Sequence, residues 1–144
     1  IDLLITQVQE TAASGELVQE LTFNHPVKAI INSDTRLDGD ININYNKMKI
    51  SINGEDLTNY RYCVPHFVHI PAYYQTNNTQ IPDVMCWAFG LSVTQLQPTG
   101  TLNFSRISSF KLHSLYYEIT WPTYAISYNI LRVQNGMAAV MYAN

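Results

Sequence analysis

An all-β sandwich is the fold class this sequence predicts, and three observations carry the expectation. Apolar residues recur with period two through most of the chain, an alternation that turns one face of each strand toward a core. Turn-forming residues interrupt the chain at roughly the 8–12-residue spacing of sandwich strands: Ser14-Gly15, His25-Pro26, Asp38-Gly39, Asn53-Gly54, Pro65, Pro71, Pro82-Asp83, Pro98-Thr99-Gly100, Pro122 and Asn135-Gly136. Charged residues are only 13% of the 144 residues, against about 25% in an ordinary domain. Neutral polar side chains must therefore cover the surface, which suits β-sheet and broad contact surfaces.

Taken in order, Leu3-Leu4-Ile5-Thr6-Gln7-Val8-Gln9 is strand-like almost from the first residue. Leu17, Leu21 and Phe23 share parity around Gln19 and predict a second strand. The four-residue spacing of Leu17 and Leu21, with Glu and Gln as good helix formers, leaves a helix over Glu16 to Leu21 as the alternative. Val27 to Ile31 follows the His25-Pro26 turn, and Asn32 to Asn46, polar and rich in Asp and Asn, reads as an exposed loop. Met48, Ile50 and Ile52 alternate with Lys47, Lys49 and Ser51. Tyr60 to Val64, the apolar run Val84 to Phe89, Ser109 to Ile119, Thr123 to Val133 and Ala138 to Tyr142 bring the total to about nine short strands, with Gln75 to Gln80 as a second polar loop. The expected core is Leu21, Phe23, Ile50, Ile52, Trp87, Phe89, Phe104, Ile126 and Ile130, each with apolar partners at its own parity.

The length is one domain's worth, enough to bury a continuous core without staples, and no internal repeat divides it. Eight Lys and Arg against eleven Asp and Glu give a formal charge of -3. No basic face can be assembled to neutralise many phosphates, so nucleic acid is not expected as a direct partner. No apolar run approaches the ~20 residues of a helical membrane span, and no signal-peptide pattern opens the chain. Strand-like sequence from Leu3, and an Ile where a translation start needs Met, lead to the expectation of a longer protein with a partner domain upstream.

Little in the chain suggests chemistry. Cys63 and Cys86 match no metal or redox spacing and read as buried free thiols. The histidines, His25, His66, His69 and His113, are scattered, and alternation sends His66 and His69 to opposite faces. Asp38-x-Asp40-x-Asn42 begins like a calcium loop, but Ile43 stands where the turn needs Gly and Lys49 where a bidentate Glu is needed. No nucleophile signature is present. Neither metal, cofactor nor enzymatic activity is expected. Asn77-Asn78-Thr79 and Asn103-Phe104-Ser105 both fit the glycosylation consensus. Asn77, in a polar loop, is the better candidate because Asn103 lies inside a tight corner.

That corner, Gln97-Pro98-Thr99-Gly100-Thr101-Leu102-Asn103-Phe104-Ser105-Arg106, is the most distinctive stretch. Pro98 fixes φ and Gly100 tolerates positive φ, so the chain can fold sharply into the next strand. Leu102 and Phe104 are expected to point inward, Asn103 and Ser105 outward, and Arg106 offers a planar five-donor fork. Tyr124 to Arg132 and Asn135-Gly136-Met137 follow, with Asn135-Gly136 as a hairpin turn. Gln7-Val8-Gln9 and Leu21-Thr22-Phe23-Asn24-His25-Pro26-Val27-Lys28 stand at the start. Asn53-Gly54, Pro65, His69-x-Pro71 and Ala88-Phe89 lie between.

In order and spacing these segments resemble the C-terminal jelly roll of the double-jelly-roll major capsid proteins of large nucleocytoplasmic double-stranded DNA viruses. The resemblance spans nearly the whole chain. Its specific parts are the corner and the tail, with Pro98, Gly100, Asn103, Phe104, Arg106, Asn129, Arg132 and Gly136 as structural-motif residues. It implies an eight-stranded jelly-roll sandwich over residues 1–144, the C-terminal half of a longer chain. It also implies homotrimeric, pseudo-hexagonal capsomers in the icosahedral shell of a virion, touching neighbouring capsomers and minor capsid proteins. Two departures stand out: Ala138-Ala139 replaces a glycine-rich tail, and Asn32 to Asn46 is shorter than the corresponding loop often is. The alternative from another class is a lectin-like carbohydrate-binding jelly-roll module on a virion or secreted protein, with Tyr73-Tyr74 beside Asn77 as its patch. Paired tyrosines also pack at protein interfaces.

Overall fold

A computed structural model describes residues 1–33, 46–63, 67, 70, 71, 84–95 and 97–141. Its strands are β1 (Asp2–Thr11), β2 (Val18–Glu20), β3 (Pro26–Ser33), β4 (Lys47–Ile52), β5 (Glu55–Asp56), β6 (Arg61–Tyr62), β7 (Val84–Ala88), β8 (Leu102–Asn103), β9 (Phe110–Ser114), β10 (Thr123–Gln134) and β11 (Met137–Val140). They form two antiparallel sheets. One runs β1-β10-β3-β7, with β11 on β10 and β8 on β3; the other runs β2-β9-β4-β5, with β6 on β4.

Turn chemistry sets much of this order. Asn53 and Gly54 (φ 52° and 85°) close the β4–β5 hairpin, and Asn135 and Gly136 (φ 54° and 76°) close β10–β11. Both pairs hold the two positive φ values that a tight hairpin twisted with its strands requires. The Glu16 to Leu21 segment is a strand, since Leu21 and Gln19 are buried while Glu20 is exposed and pairs with Lys111. Leu17, expected to share their face, is exposed. Strand pairing ends earlier than expected in three places: β9 stops at Ser114, β6 covers only Arg61 and Tyr62, and β11 stops at Val140. Beyond Ser114 the backbone leaves the ladder, yet Ile119 stays buried, tied by its amide to the Glu16 carbonyl at 2.8 Å.

The core lies between the sheets. Val27, Ile30, Met85 and Trp87 meet Leu21, Met48, Ile50, Phe110 and Leu112, with Phe23 and Phe104 closing one end. Full burial of each such side chain stabilises by about 1.5–3 kcal/mol. Ile52 and Phe89 pack against this cluster half-buried. Opposite β10, the β3 partner jumps from Ala29 to Val27 between Ile126 and Ser127, so Lys28 is the extra residue of a β-bulge. The bulge lets both Val27 and Ile30 point inward.

Ile126 and Ile130 correct the expectation. In β10 the inward side belongs to Thr123, Ala125, Ser127 and Asn129, whereas Ile126 and Ile130 are half-buried on the outer side. The reason is volume. Bulky side chains from the facing sheet fill the space over β10, so small residues fit beneath them, and the polar ones are hydrogen-bonded. Asn32 Nδ2 donates to Thr123 Oγ1 at 2.7 Å, and that hydroxyl donates to Gln19 Oε1 at 2.6 Å. Gln19, 1% exposed, donates in turn to the Ala12 carbonyl at 2.7 Å. Asn32 and Asn46, expected as ends of an exposed loop, are both buried. The rest of that loop with Asp38, Asp40 and Asn42, as well as Pro65, His66, His69, Tyr73, Tyr74, the Gln75 to Gln80 loop with Asn77, and Pro82-Asp83, lie outside the described residues.

Candidate functional site

The corner is built on a close approach of two backbones. Gly100 (φ 146°) lies against the end of β7, where a Cβ would stand 2.9 Å from the Phe89 carbonyl oxygen and 3.0 Å from Gly90 Cα. A Cβ on Gly90 would meet the Gly100 oxygen and Thr99 Oγ1, each at 2.7 Å. The Thr99 hydroxyl donates to the Ser92 carbonyl (2.9 Å) and accepts from the Ser92 amide (3.0 Å), clamping the loop between the two glycines. Pro98 is exposed on its rim.

Leu102 and Asn103 then pair with Val27 and Pro26. The expected strand does not continue: Phe104–Arg106 is a 3-10 turn whose N-cap Asn103 accepts the Ser105 amide at 3.1 Å. Short polar side chains favour such local backbone bonds over a sheet ladder. His25 (φ 69°) donates its amide to Ser105 Oγ at 3.0 Å, and its carbonyl accepts from Phe104 at 3.2 Å. Phe104 is thereby fixed in an aromatic cluster, with ring centroids 4.6 Å from Phe110, 5.7 Å from Phe23 and 6.3 Å from Phe89. Arg106 is exposed.

The tail residues lie at the opposite edge of the same sheet. Asn129 is buried and donates to Gln7 Oε1 at 3.0 Å, joining β10 to the Gln-x-Gln of β1. Gln9 extends the link, donating to the Asn24 carbonyl at 2.6 Å and to Ser127 Oγ at 3.0 Å. Arg132 grips Asp2 with two bonds of 2.9 and 3.1 Å. That guanidinium holds the Asp2 carboxyl below its usual range.

The two outer faces differ sharply. On the five-stranded sheet Lys49 pairs with Asp56 at 2.9 Å, Lys47 and Lys49 lie over the rings of Tyr62 and Tyr60, and Ser51 bonds His113 at 2.9 Å. Partial burial, with Lys49 adding to it, pushes the His113 pKa down. On the six-stranded sheet the cross-strand pairs Leu4–Ile130, Thr6–Tyr128 and Val8–Ile126 hold no charge, and the ion pair Asp2–Arg132 and Glu10 beside Tyr124 bound them. Leu4 is 51% and Val8 69% exposed. Lys28 reaches over the Tyr128 ring, 5.5 Å from its centroid. A groove of about 600 Å³ runs between this face and Thr94, Gln95 and Gln97, with Leu4, Thr6, Lys28 and Tyr128 on its floor.

Features suited to catalysis are few. Among the described residues no three His, Cys, Asp or Glu side chains gather as a metal site, and no helix is long and apolar enough to cross a membrane. An apolar recess of about 300 Å³, lined by Leu57, Phe67, Ile70, Trp87 and Phe89 among others, has no charged residue among its described lining. Cys63 is buried and Cys86 half-buried, and neither is in a disulfide; burial pushes the Cys86 thiol up to about 11. Sequence reasoning missed Gly90 and the Gln19 network. The run Ala88-Phe89-Gly90 held a signal for the first, since a Gly ending a strand marks a close backbone approach.

Comparison with known proteins places this geometry. The family described as large eukaryotic DNA virus major capsid protein matches residues 2–139. The major capsid protein of Pyramimonas orientalis virus is 27% identical over 176 aligned residues, covering 99% of this chain and 43% of that protein. That of Phaeocystis pouchetii virus is 31% identical over 106 residues, covering 67% of this chain and 20% of that protein. The quasi-atomic structure of the PBCV-1 virus capsid superimposes with a TM-score of 0.78 at 23% identity, over 100% of this chain and 52% of that one. The Faustovirus major capsid protein superimposes with a TM-score of 0.57 at 11% identity, over 92% of this chain and 33% of that one. The shared fold is the jelly-roll sandwich, and the chain spans about half the length of the PBCV-1 capsid chain or less of the others.

Proposed function

The chain belongs to the large eukaryotic DNA virus major capsid protein family, and from that premise we propose that it is one jelly roll of the coat protein of an icosahedral shell. The observation that carries the reading is the family match across residues 2–139 together with superposition of the entire chain on a capsid protein. Function here is assembly without chemistry. A sandwich that closes its own core leaves its loops and outer faces free for neighbours, and a surface poor in charge is the kind that contacts can desolvate cheaply.

Further parts of the proposal reach beyond that match. The chain is the C-terminal half of a double jelly roll, the complete protein is a homotrimer forming a pseudo-hexagonal capsomer, and its other partners are neighbouring capsomers and minor capsid proteins. Pro98, Gly100, Asn103, Phe104 and Arg106 shape the corner, while Asn129, Arg132 and Gly136 fasten the tail to β1. The carbohydrate-binding alternative drew on Tyr73, Tyr74 and Asn77, which lie outside the described residues, and no observation favours it. Sedimentation of the full-length protein tests the reading. One trimeric species is expected, with the 144-residue piece alone poorly soluble or heterogeneous because it bares apolar surface. A full-length chain that stays monomeric at high concentration, beside a well-behaved monomeric piece, overturns it.

A further inference from the structure

Two Asn-Gly pairs occur in the sequence, Asn53-Gly54 and Asn135-Gly136, and the fold treats them differently. Both close two-residue hairpins with positive φ at each position, and both asparagines are exposed. The Asn53 side-chain carbonyl accepts three hydrogen bonds, from the Ser108 amide at 3.1 Å, the Ser108 hydroxyl at 2.7 Å and the Ser109 amide at 3.1 Å. Its own backbone amide donates to the Ser109 carbonyl at 2.8 Å, so this turn is pinned to the segment leading into β9. Among the described residues, none bonds the Asn135 carboxamide. The strand beyond it is held lightly as well. β11 is four residues long, all four are exposed, and its ladder with β10 runs only from Leu131–Val140 to Gln134–Met137.

We infer that Asn135 is a site of spontaneous deamidation and that the reaction unlatches β11 from β10. The Gly136 nitrogen attacks the side-chain carbonyl carbon of Asn135. An N–C bond forms, the carboxamide C–N bond breaks, and ammonia leaves carrying the proton that the Gly136 nitrogen gives up. Water then opens the five-membered imide at either of its carbonyls, leaving aspartate or its isoaspartyl isomer at position 135. Glycine makes this nitrogen reachable because no side chain stands beside it. The left-handed conformation of a closed turn keeps the nitrogen on the far side of the Cα–C bond from the carboxamide, so ring closure waits for the hairpin to open. Opening costs least where few buried contacts hold a segment, and β11 has none of its residues buried. At Asn53 the same opening must also break the bonds to Ser108 and Ser109. The isoaspartyl product carries one extra main-chain carbon, so it cannot close a two-residue turn in the former register.

Peptide mass spectrometry of the full-length protein, kept folded in mildly alkaline buffer and sampled over days, tests the assignment. Alkali speeds ring closure by deprotonating the attacking nitrogen. Conversion at Asn135 is expected to be at least about tenfold faster than at Asn53, because the three bonds at Asn53 together exceed the 1.4 kcal/mol that a factor of ten represents. In concentrated urea, with both turns unfolded, the two rates are expected to converge. Equal rates in the folded protein overturn the proposal, and a difference that persists in urea overturns it by placing the cause in the sequence alone. The converted fraction, separated by its added negative charge, is expected to show a faster-exchanging population of backbone amides over Met137–Val140, with Lys47–Ile52 unchanged. Tail exchange equal to that of the parent overturns the unlatching.

Discussion

Gly90→Ala isolates the backbone contact on which the corner is built. The new methyl carbon would stand 2.7 Å from the Gly100 carbonyl oxygen and 3.0 Å from its nitrogen, and 2.7 Å from Thr99 Oγ1. Backbone atoms cannot swing aside, and the Thr99 hydroxyl is held by both polar groups of Ser92. Relief requires the loop to move away from β7, loosening Leu102 on β3 and Phe104 in its cluster. Overpacking of this kind costs about 1–3 kcal/mol, and the upper half applies because the obstacles are main chain. The reduced freedom of the unfolded chain returns about 0.4–1 kcal/mol, so a net loss of about 2 kcal/mol is expected. With a urea slope of about 2 kcal/mol/M the midpoint falls by about 1 M. Gly54→Ala is the control, with φ 85° but open space around its Cβ, so only the left-handed penalty of about 1–2 kcal/mol applies. Gly100→Ala meets the same backbone from the other side, and the double variant should lose less than the sum of the singles because one separation relieves both. Urea unfolding of the parent and the four variants decides it. A Gly90→Ala stability within about 0.5 kcal/mol of the parent would refute the reasoning, since that is the range of an ordinary surface change.

Phe104→Ala should destabilise by about 3–5 kcal/mol by emptying the aromatic cluster, and Phe104→Leu by much less; equal losses in thermal melts would mean that the ring contacts contribute nothing. Gln19→Leu removes the acceptor of the buried Thr123 hydroxyl and should cost about 1–3 kcal/mol, with Gln19→Leu/Thr123→Val partly restoring stability in the same melts. At pH 8 the Cys86 thiol, pushed up to about 11, should react with maleimide far more slowly than a free cysteine, and rapid labelling of the native protein would contradict that. The His113 pKa lies below its unfolded value, so its small contribution to stability is present above the unfolded pKa and fades as pH falls through the folded one. His113→Gln should therefore flatten the melting-temperature profile on the acid side of about pH 6.5, and an unchanged profile counts against it.

Alternation and turn residues were enough to reveal most of the sandwich. The β4 pattern and the paired positive φ values at Asn53-Gly54 and Asn135-Gly136 follow directly from residue type. β10 was less legible because parity identifies two faces without saying which is inside. A strand between β1 and β3 is covered along both edges, and its small side had to face the bulky side chains opposite. The 3-10 turn at Phe104 was missed although Asn103-x-Ser105 carries the capping pattern, since Leu102 and Phe104 also fit a strand. For the outer face of the six-stranded sheet the legible part was composition; which residues meet there required the register, where Leu4, Val8, Ile126 and Ile130 come together from segments more than a hundred residues apart.

That long-range pairing bears on how the protein is made. β1 is synthesised before β10 and finds its partner only when β10 exists, for Asp2 pairs with Arg132 and Thr11 with Thr123. Closing so large a loop before any contact rewards it makes folding slow. During translation β1 must wait, with both edges unpaired, until β10 has left the ribosome. Yield in a host cell should thus depend on holding this nascent strand apart from its neighbours, and a charged substitution at the exposed Val8 would ease synthesis.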